Sequence, residues 1–241
     1  MKIIALDSSG LVASVALLED DTLVAEYTTN FKKTHSQTLL PMLDEIVKMT
    51  EWNAAEVDAI AVAGGPGSFT GLRIGSATAK GLGLAWKKPV ISVPTVDALA
   101  YNLYGTESYI CPLMDARRNQ VYTGVYTFEN QRFKVVKEQC AVAIDEIVQE
   151  LNAYGKPVIF LGDGVPVHKD MVKDIMKVEY SFAPVHLSRQ RAGAVGALAM
   201  EYYKAGKIQT AAEHAPEYLR MSQAERERME RENNRVSEPA E

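Results

Sequence analysis

The sequence predicts an α/β fold made of two related halves, each a mixed sheet with helices on its faces. Apolar, β-branched stretches alternate with helix-length segments in the order βββαβα, and this order occurs twice. The first strand of each half also ends in an apolar residue followed by aspartate, Leu6-Asp7 and Met114-Asp115. We therefore place the halves at residues 1–104 and 105–222, followed by a charged tail at 223–241.

The elements of the first half follow from apolar runs separated by turn residues. Ser9-Gly10 and Asp20-Asp21 separate three strands. Pro41 limits the start of the first helix, because a proline lacks the N–H that only the first turn can spare, so we take Thr38 as its N-cap. The predicted strands are 2–8, 12–18, 22–28, 58–63 and 90–93, and the predicted helices are 38–50, 70–86 and 96–103.

The second half repeats this order. Its later strand ends in Gly162-Asp163-Gly164, as the corresponding strand of the first half ends in Gly64-Gly65. The predicted strands are 109–114, 121–128, 132–138 and 158–161, and the clearest helices are 144–151 and 192–204. The tail after residue 222 is almost entirely charged or amide and lacks an apolar face, which is typical of a solvated segment or of an arm that orders on a partner.

Two predicted helices carry rows of apolar or small residues, called stripes here, that indicate close packing against another element. A glycine in a helix interior costs about 1 kcal/mol relative to alanine, so repeated glycines indicate that something packs tightly against them. That neighbour is either the chain's own sheet or a second protein. The apolar stripe of the first helix is Leu39, Leu43, Ile46 and Val47, and the small-residue stripe of the second is Gly71, Gly75, Ala79 and Gly83.

Composition restricts the classes of function. The 241 residues are 47% hydrophobic and 24% charged, with a net charge of −5, so no basic excess marks a nucleic-acid-binding protein. Two cysteines provide neither a disulfide framework nor a zinc site. The apolar run that follows Lys2 is too short for a signal peptide or a membrane span, which favours a cytoplasmic protein without a membrane partner.

Aspartates at strand ends suggest a nucleotide site. Asp7, followed by Ser8, Ser9 and a turn glycine, could hold a magnesium ion and present N–H groups to a phosphate. Asp115 occupies the matching position in the second half, but neither glycine nor hydroxyl follows it. The alternative is that these residues are a vestigial site, in which both aspartates only cap strands of a duplicated fold.

The glycine loop 64–71 matches no standard nucleotide or nucleophile motif. It lacks the Walker A lysine, the Rossmann glycine spacing and the first glycine of a Gly-x-Ser-x-Gly elbow. It could bind an anion at the helix N-terminus, or its glycines could serve only tight turning and packing. His35 has Leu39 where a metal pair on a helix needs a second ligand, so no metal site is predicted.

Several segments together resemble the TsaB family, also called YeaZ. The resemblance covers residues 1 to about 220, and its most specific part is the Gly-Pro-Gly-Ser-Phe-Thr-Gly block at 65–71. The other matching segments are 1–9, 35–43, 114–118 and 216–220. The resemblance implies the actin-like fold of sugar kinases and chaperones, with two related halves.

The resemblance also implies a function without catalysis. TsaB-type proteins are cytoplasmic subunits of the bacterial machinery that forms N6-threonylcarbamoyladenosine at position 37 of tRNAs reading codons that begin with A. The catalytic member is the paralogue TsaD, which carries a metal-binding His-x-x-x-His, and the ATPase TsaE joins them. Because Leu39 replaces the second histidine here, we expect an accessory subunit that meets tRNA only through the complex. We expect no intrinsic cofactor, although ADP or ATP could bind at a shared interface.

The family's contact surface is built from the first two helices. On this sequence it would comprise the two stripes defined above, and the same surface could pair with TsaD or, in the isolated chain, with a second copy. Two alternatives remain: a small-molecule kinase or nucleotide hydrolase that uses Asp7 and Asp115, and a metal-dependent peptidase.

Overall fold

The structure is a computed structural model that describes residues 1–220, apart from the side chain of Ala54. The predicted tail at 223–241 lies outside the described residues. In the first half, three antiparallel strands are followed by alternating helices and parallel strands. The elements are β1 Lys2–Asp7, β2 Ala13–Glu19, β3 Thr22–Thr29, α1 His35–Thr50, a short 3-10 turn Ala54–Glu56, β4 Ala59–Gly65, α2 Phe69–Trp86, β5 Val90–Pro94 and α3 Thr95–Tyr101.

The second half repeats that series. Its first strand is interrupted, so that two short strands replace the single one predicted. The elements are β6 Tyr109–Pro112, β7 Met114–Asp115, β8 Gln120–Glu129, β9 Arg132–Ala143, α4 Ile144–Tyr154, β10 Val158–Leu161, α5 Val165–Ile175, β11 Tyr180–Phe182 and α6 Ala192–Lys204.

The two sheets have equivalent topologies. The first has the order β3-β2-β1-β4-β5, with β1 antiparallel to β2 and parallel to β4. The second has the order β11-β10-β6-β8, with β9 and β7 also paired to β8. Its β6 is antiparallel to β8 and parallel to β10, so β6 occupies the place of β1. The predicted α/β class and duplicated order are therefore confirmed.

The start of α1 differs from the prediction. The helix begins at His35, and Pro41 lies in its interior rather than in its first turn. Thr34 precedes the helix in an extended conformation, and the structure gives it no side-chain capping bond. Pro41 is exposed, so the carbonyl that would have received its N–H can be solvated by water instead.

Helices cover both faces of the first sheet. On one face, α1 and α2 bury an apolar cluster that includes Leu39, Leu43, Ile46 and Ala79. On the opposite face lies α6, a helix from the second half of the sequence, whose Val195 and Ala199 pack against Ile3 and Ala5. The second half thus contributes a helix to the first half's core, although the boundary near residue 104 itself stays a prediction. Among residues 1–220, no helix combines the length and apolar character needed to span a bilayer.

Candidate functional site

A polar cleft of about 660 Å³ lies between the two halves. The turn after β1 and the glycine loop before α2 form one wall, while the ends of β7 and β10 and the last described residues form the other. Of the four residues assigned to a possible vestigial nucleotide site, Ser9 and Asp115 line this cavity, whereas Asp7 and Ser8 do not. Its polar and glycine lining is Ser9, Gly10, His35, Gly67, Ser68, Asp115, Arg117, Asp163 and Arg220.

Asp7 lies beneath the cleft rather than in its lining. Its side chain is only 1% exposed, and its Oδ1 accepts hydrogen bonds from the Ser9 backbone N–H at 2.9 Å and from Ser9 Oγ at 2.7 Å. Burial raises the pKa of Asp7 from 3.8 to about 6, against the opposing effect of these hydrogen bonds. Asp7 therefore acts at least as an internal cap for the turn that follows β1.

Ser8 and Ser9 connect that turn to the glycine loop. Ser8 Oγ donates to the Gly71 carbonyl at 2.9 Å, and the Ser68 N–H donates to the Ser9 carbonyl at 2.7 Å. A Cβ on Gly71 would lie 2.0 Å from the Ser8 carbonyl oxygen, and a Cβ on Gly67 would lie 2.3 Å from the Ser9 carbonyl oxygen. The glycines thus allow two backbones to touch, which requires no ligand between them.

Asp115 is held by a residue of its own loop. Its Oδ1 accepts the Arg117 N–H at 2.8 Å, and its Oδ2 lies 3.2 Å from Arg117 Nη1. The loop is unusual, because Arg117, Arg118 and Asn119 all have positive φ, between 55° and 67°. Such φ values are uncommon for residues other than glycine. The carboxylate bonds to both the backbone and the side chain of Arg117 and so braces this conformation.

Two further residues of the cleft were not predicted from the sequence. Asp163 follows β10 and accepts the Asp115 N–H at 3.3 Å, while burial raises its pKa above the ordinary value. Arg220 donates from Nη1 to the Ala116 carbonyl at 2.5 Å. In the sequence, the Gly-Asp-Gly turn drew attention only through its glycines. It corresponds to the turn after β4, which also lines the cleft, and this correspondence could have indicated Asp163. Nothing local to Arg220 indicated that it reaches the cleft.

The final described segment, residues 208–220, crosses from α6 to the cleft and is called the strap here. It begins with paired backbone bonds between Gln209 and Val90 on β5, each 2.9 Å long. Near its end, the Tyr218 ring stacks on Phe69 with centroids 4.6 Å apart and an interplanar angle of 8°. The Glu217 N–H also donates to the Gly64 carbonyl at 2.7 Å, so the strap holds the glycine loop from outside.

The eight residues predicted to bind a partner lie in the chain's own core, which corrects that assignment. Three of the small-residue positions touch their own chain: Cβ atoms on Gly71, Gly75 and Gly83 would lie 2.0, 2.5 and 2.9 Å from their nearest neighbours. Ala79 is fully buried. The apolar stripe of α1 packs in the same cluster, with Leu39, Leu43 and Ile46 buried and Val47 partly buried. The neighbour that the glycines required is the chain's own sheet.

The outer faces of the same helices are exposed. Leu84 on α2 is 62% exposed, and Leu40 on α1 is 50% exposed. Ala77, Gly81 and Ala85 form a second small-residue stripe on α2 at four-residue spacing, and all three are exposed. A Cβ on Gly81 would meet no atom within 4 Å. These are the surfaces of α1 and α2 that another molecule can reach.

The residues described here, 1–220, contain no cluster of three or more His, Cys, Asp or Glu that could hold a metal ion. His35 lies at the start of α1, where its Nε2 is 2.9 Å from the Gly10 carbonyl oxygen. Leu39, one helical turn later, is buried in the core, and its hydrocarbon side chain has no atom that could bind a metal. His35 therefore contributes to the turn between β1 and β2.

Comparison with known proteins shows the family. A family model described as TsaD, tRNA N6-adenosine threonylcarbamoyltransferase, matches residues 22–228. The tRNA threonylcarbamoyladenosine biosynthesis protein TsaB of Bacillus subtilis is 34% identical over 228 residues, which is 93% of this chain and 96% of that protein. The chain belongs to the TsaB family. The Escherichia coli protein of the same name is 31% identical over 72% of this chain and 76% of its own length.

Solved structures agree with this assignment. YeaZ from Pseudomonas aeruginosa has a TM-score of 0.78 and 27% identity, with 90% of this TsaB-family chain and 99% of that chain covered. A second solved structure, of an uncharacterized Pseudomonas aeruginosa protein with similarity to peptidase YEAZ, has the same TM-score and identity. It covers 91% of this chain and 99% of that one. The predicted family and the predicted actin-like, two-half fold are therefore confirmed.

Proposed function

We propose that this chain is a non-catalytic subunit of the machinery that forms N6-threonylcarbamoyladenosine at position 37 of tRNAs reading codons that begin with A. It binds a TsaD-type transferase and stabilises the conformation of that enzyme that is competent for catalysis. The observation that carries the proposal is the 34% identity to Bacillus subtilis TsaB across 93% of the chain. The local roles of Asp7 and Asp115, as a turn cap and as a brace for the Arg117 loop, are consistent with it.

The proposed contact surface is the exposed side of α1 and α2. The two helices lie on one face of the first sheet and share a buried cluster, so their outer sides form one continuous platform. Small residues on α2 would allow a partner helix to approach closely, and the exposed leucines on both helices would then be buried. The residues we assign to this platform are Leu40, Ala77, Gly81, Leu84 and Ala85.

The remaining parts of the proposal concern the assembly. The complex also contains a TsaE-type ATPase and works in the cytoplasm, and tRNA meets this chain only through the complex. No cofactor belongs to this subunit alone, and ADP or ATP binds at an interface that it shares with a partner. The isolated chain pairs with a second copy of itself. The sequence placed that pairing on the same two helices as TsaD binding, so we assign it to their exposed side, where a second copy would compete with TsaD.

The platform can be tested with two matched substitutions. Leu84→Arg places a charge at a 62% exposed position on α2, and Val167→Arg does the same at a 61% exposed position on α5. We expect Leu84→Arg to weaken binding to purified TsaD at least about tenfold and to reduce tRNA modification in a reconstituted assay, because a charge must then be desolvated at the contact. Val167→Arg should behave as the unmodified chain. Equal binding by both variants would refute the placement of the platform.

A catalytic alternative uses the cleft. Ser9 and Asp115 line one cavity, which is the arrangement that a small-molecule kinase of this fold would need. The alternative requires magnesium-dependent ATP hydrolysis by the isolated chain that Asp115→Asn abolishes. Hydrolysis of that kind would overturn the non-catalytic proposal, whereas hydrolysis that is unaffected by the substitution would indicate a contaminating enzyme.

A further inference from the structure

The middle of the strap is fastened to α2 at two neighbouring positions. Buried Ala211 packs on Gly83, where an added Cβ would lie 2.9 Å from the Ala211 Cβ. Lys80, one turn earlier on the same helix, donates from Nζ to the carbonyl oxygens of Ala212 at 3.1 Å and His214 at 2.8 Å. The last glycine of the small-residue stripe therefore makes room for the strap, and a lysine side chain holds the strap beside it.

His214 is the buried titratable residue of this part of the strap, with only 1% exposure. Its Nδ1 lies 3.3 Å from Gln209 Oε1, whereas its buried Nε2 has no hydrogen-bond partner among the described residues. A neutral imidazole carries a proton on one nitrogen only, so one acceptor is enough. A protonated imidazole donates from both nitrogens, and its second N–H would here be buried without an acceptor, which is unfavourable.

The charges around His214 also oppose its protonation. From α2, Lys80 brings a positive charge to the carbonyl of His214 itself. The strand β5, which the strap contacts through Gln209, has no charged side chain. Glu213 precedes His214, but its carboxylate accepts the Thr210 N–H at 3.1 Å and the Thr210 hydroxyl at 2.7 Å. Burial and the charge of Lys80 therefore lower the pKa of His214 from its ordinary value of 6.5.

Protonation of His214 is thereby coupled to the position of the strap. A strap that has left α2 exposes the ring to water, where it takes up a proton with its ordinary pKa of 6.5. The seated strap binds that proton less tightly, so seating is most favoured above pH 6.5 and loses this advantage as the pH falls below that value. Glu217 and Tyr218 follow in the same segment, so their contacts with the glycine loop depend on the same seating.

We propose that His214 is a proton-sensitive latch, which holds the middle of the strap on α2 at neutral pH and releases it in mild acid. Release exposes Ala211 and the part of α2 around Gly83 that it covers. It also removes the contacts by which the strap supports the glycine loop 64–71 from outside. The inference goes beyond the proposed function, because the latch belongs to the isolated chain and needs neither TsaD nor tRNA.

Hydrogen exchange on the full-length chain tests the latch, measured by mass spectrometry at pH 7.5 and 5.5 and corrected for the intrinsic pH dependence of exchange. In the unmodified chain, protection of residues 209–218 should be at least about threefold lower at pH 5.5, whereas protection of β1 should not fall. In His214→Gln, whose neutral amide cannot take up a proton, protection of the strap should be equal at the two pH values. His186→Gln, which changes an exposed histidine, should behave as the unmodified chain.

Direct titration of His214 decides the matter even if His214→Gln itself disturbs the strap. In the unmodified chain with labelled histidine, the imidazole resonance that is missing from His214→Gln belongs to His214, and nuclear magnetic resonance should show that it titrates with a pKa below 6.5. A pKa at or above 6.5 would overturn the latch. So would equal protection of the strap at the two pH values in the unmodified chain, or an equal loss of protection in His214→Gln.

Discussion

Two glycines of α2 should respond in opposite ways to the same substitution. A Cβ on Gly75 would lie 2.5 Å from Ser8 Oγ and 3.4 Å from Val62 Cγ2, and the Ser8 hydroxyl is fixed by its bond to the Gly71 carbonyl. Moving it loses a buried hydrogen bond of about 1 kcal/mol, and overpacking adds about 1–3 kcal/mol. The gain in helix propensity offsets only about 1 kcal/mol of this. Gly75→Ala should therefore destabilise the chain by about 2 kcal/mol.

Gly81→Ala is the matched control in the same helix. No atom lies within 4 Å of its added Cβ, so only the propensity gain remains, and this variant should be stabilised by up to about 1 kcal/mol. The two variants should differ by about 3 kcal/mol in urea unfolding followed by circular dichroism, or by about 9 °C in Tm. If Gly75→Ala were as stable as Gly81→Ala, the stripe would not pack on the β1 turn, and the predicted partner face would have to be reconsidered.

The other predictions concern a buried acid and the strap. Burial raises the pKa of Asp97 from 3.8 to about 6, so the folded chain keeps a proton that the unfolded chain loses, and stability should fall as pH rises from about 4 to 6. In Asp97→Asn, the free energy of unfolding should fall by about 2 kcal/mol less between pH 4.5 and 7.5 than in the unmodified chain, as measured by urea unfolding at both pH values. An equal fall in both proteins would contradict this. Tyr218→Ala removes the stack on Phe69 and should cost about 1 kcal/mol. Hydrogen exchange should then quicken in the glycine loop 64–71, and unchanged exchange would show that the strap does not hold it.

The order of elements could be predicted from the sequence because the buried apolar residues of each half recur at the spacing of a helix or a strand. The sequence did not show which part of the molecule packs against each helical stripe. Gly71 and Gly75 belong to the buried stripe, whereas Ala77 and Gly81 belong to an exposed stripe with the same spacing. Spacing within a helix shows which residues share a face, but not which face meets the sheet. Which face of α2 meets the sheet depends on Ser8, a residue far away in sequence whose backbone contacts Gly71.

Contacts between distant segments account for the other differences. The sequence placed α6 with the second half, but its small apolar residues fit the open face of the first sheet. Pro41 was expected in the first turn of α1, and exposure allows it to lie in the interior. The sequence suggested a nucleotide site at Asp115, whereas Arg220 reaches the same cleft only because the strap brings it there. In each case the deciding contact joins residues that local patterns cannot relate.

The duplicated halves help to assign the role of the glycine turns. In the second half, Cβ atoms on Gly162 and Gly164 would lie 2.2 and 2.8 Å from the Leu113 carbonyl oxygen, at the break between β6 and β7. In the first half, Gly67 and Gly71 lie equally close to the carbonyls that follow β1. Both halves thus use glycine to seat the turn after the later strand against the end of the first strand. Because this arrangement occurs twice with different loop sequences, backbone packing accounts for the close contacts of Gly67 and Gly71.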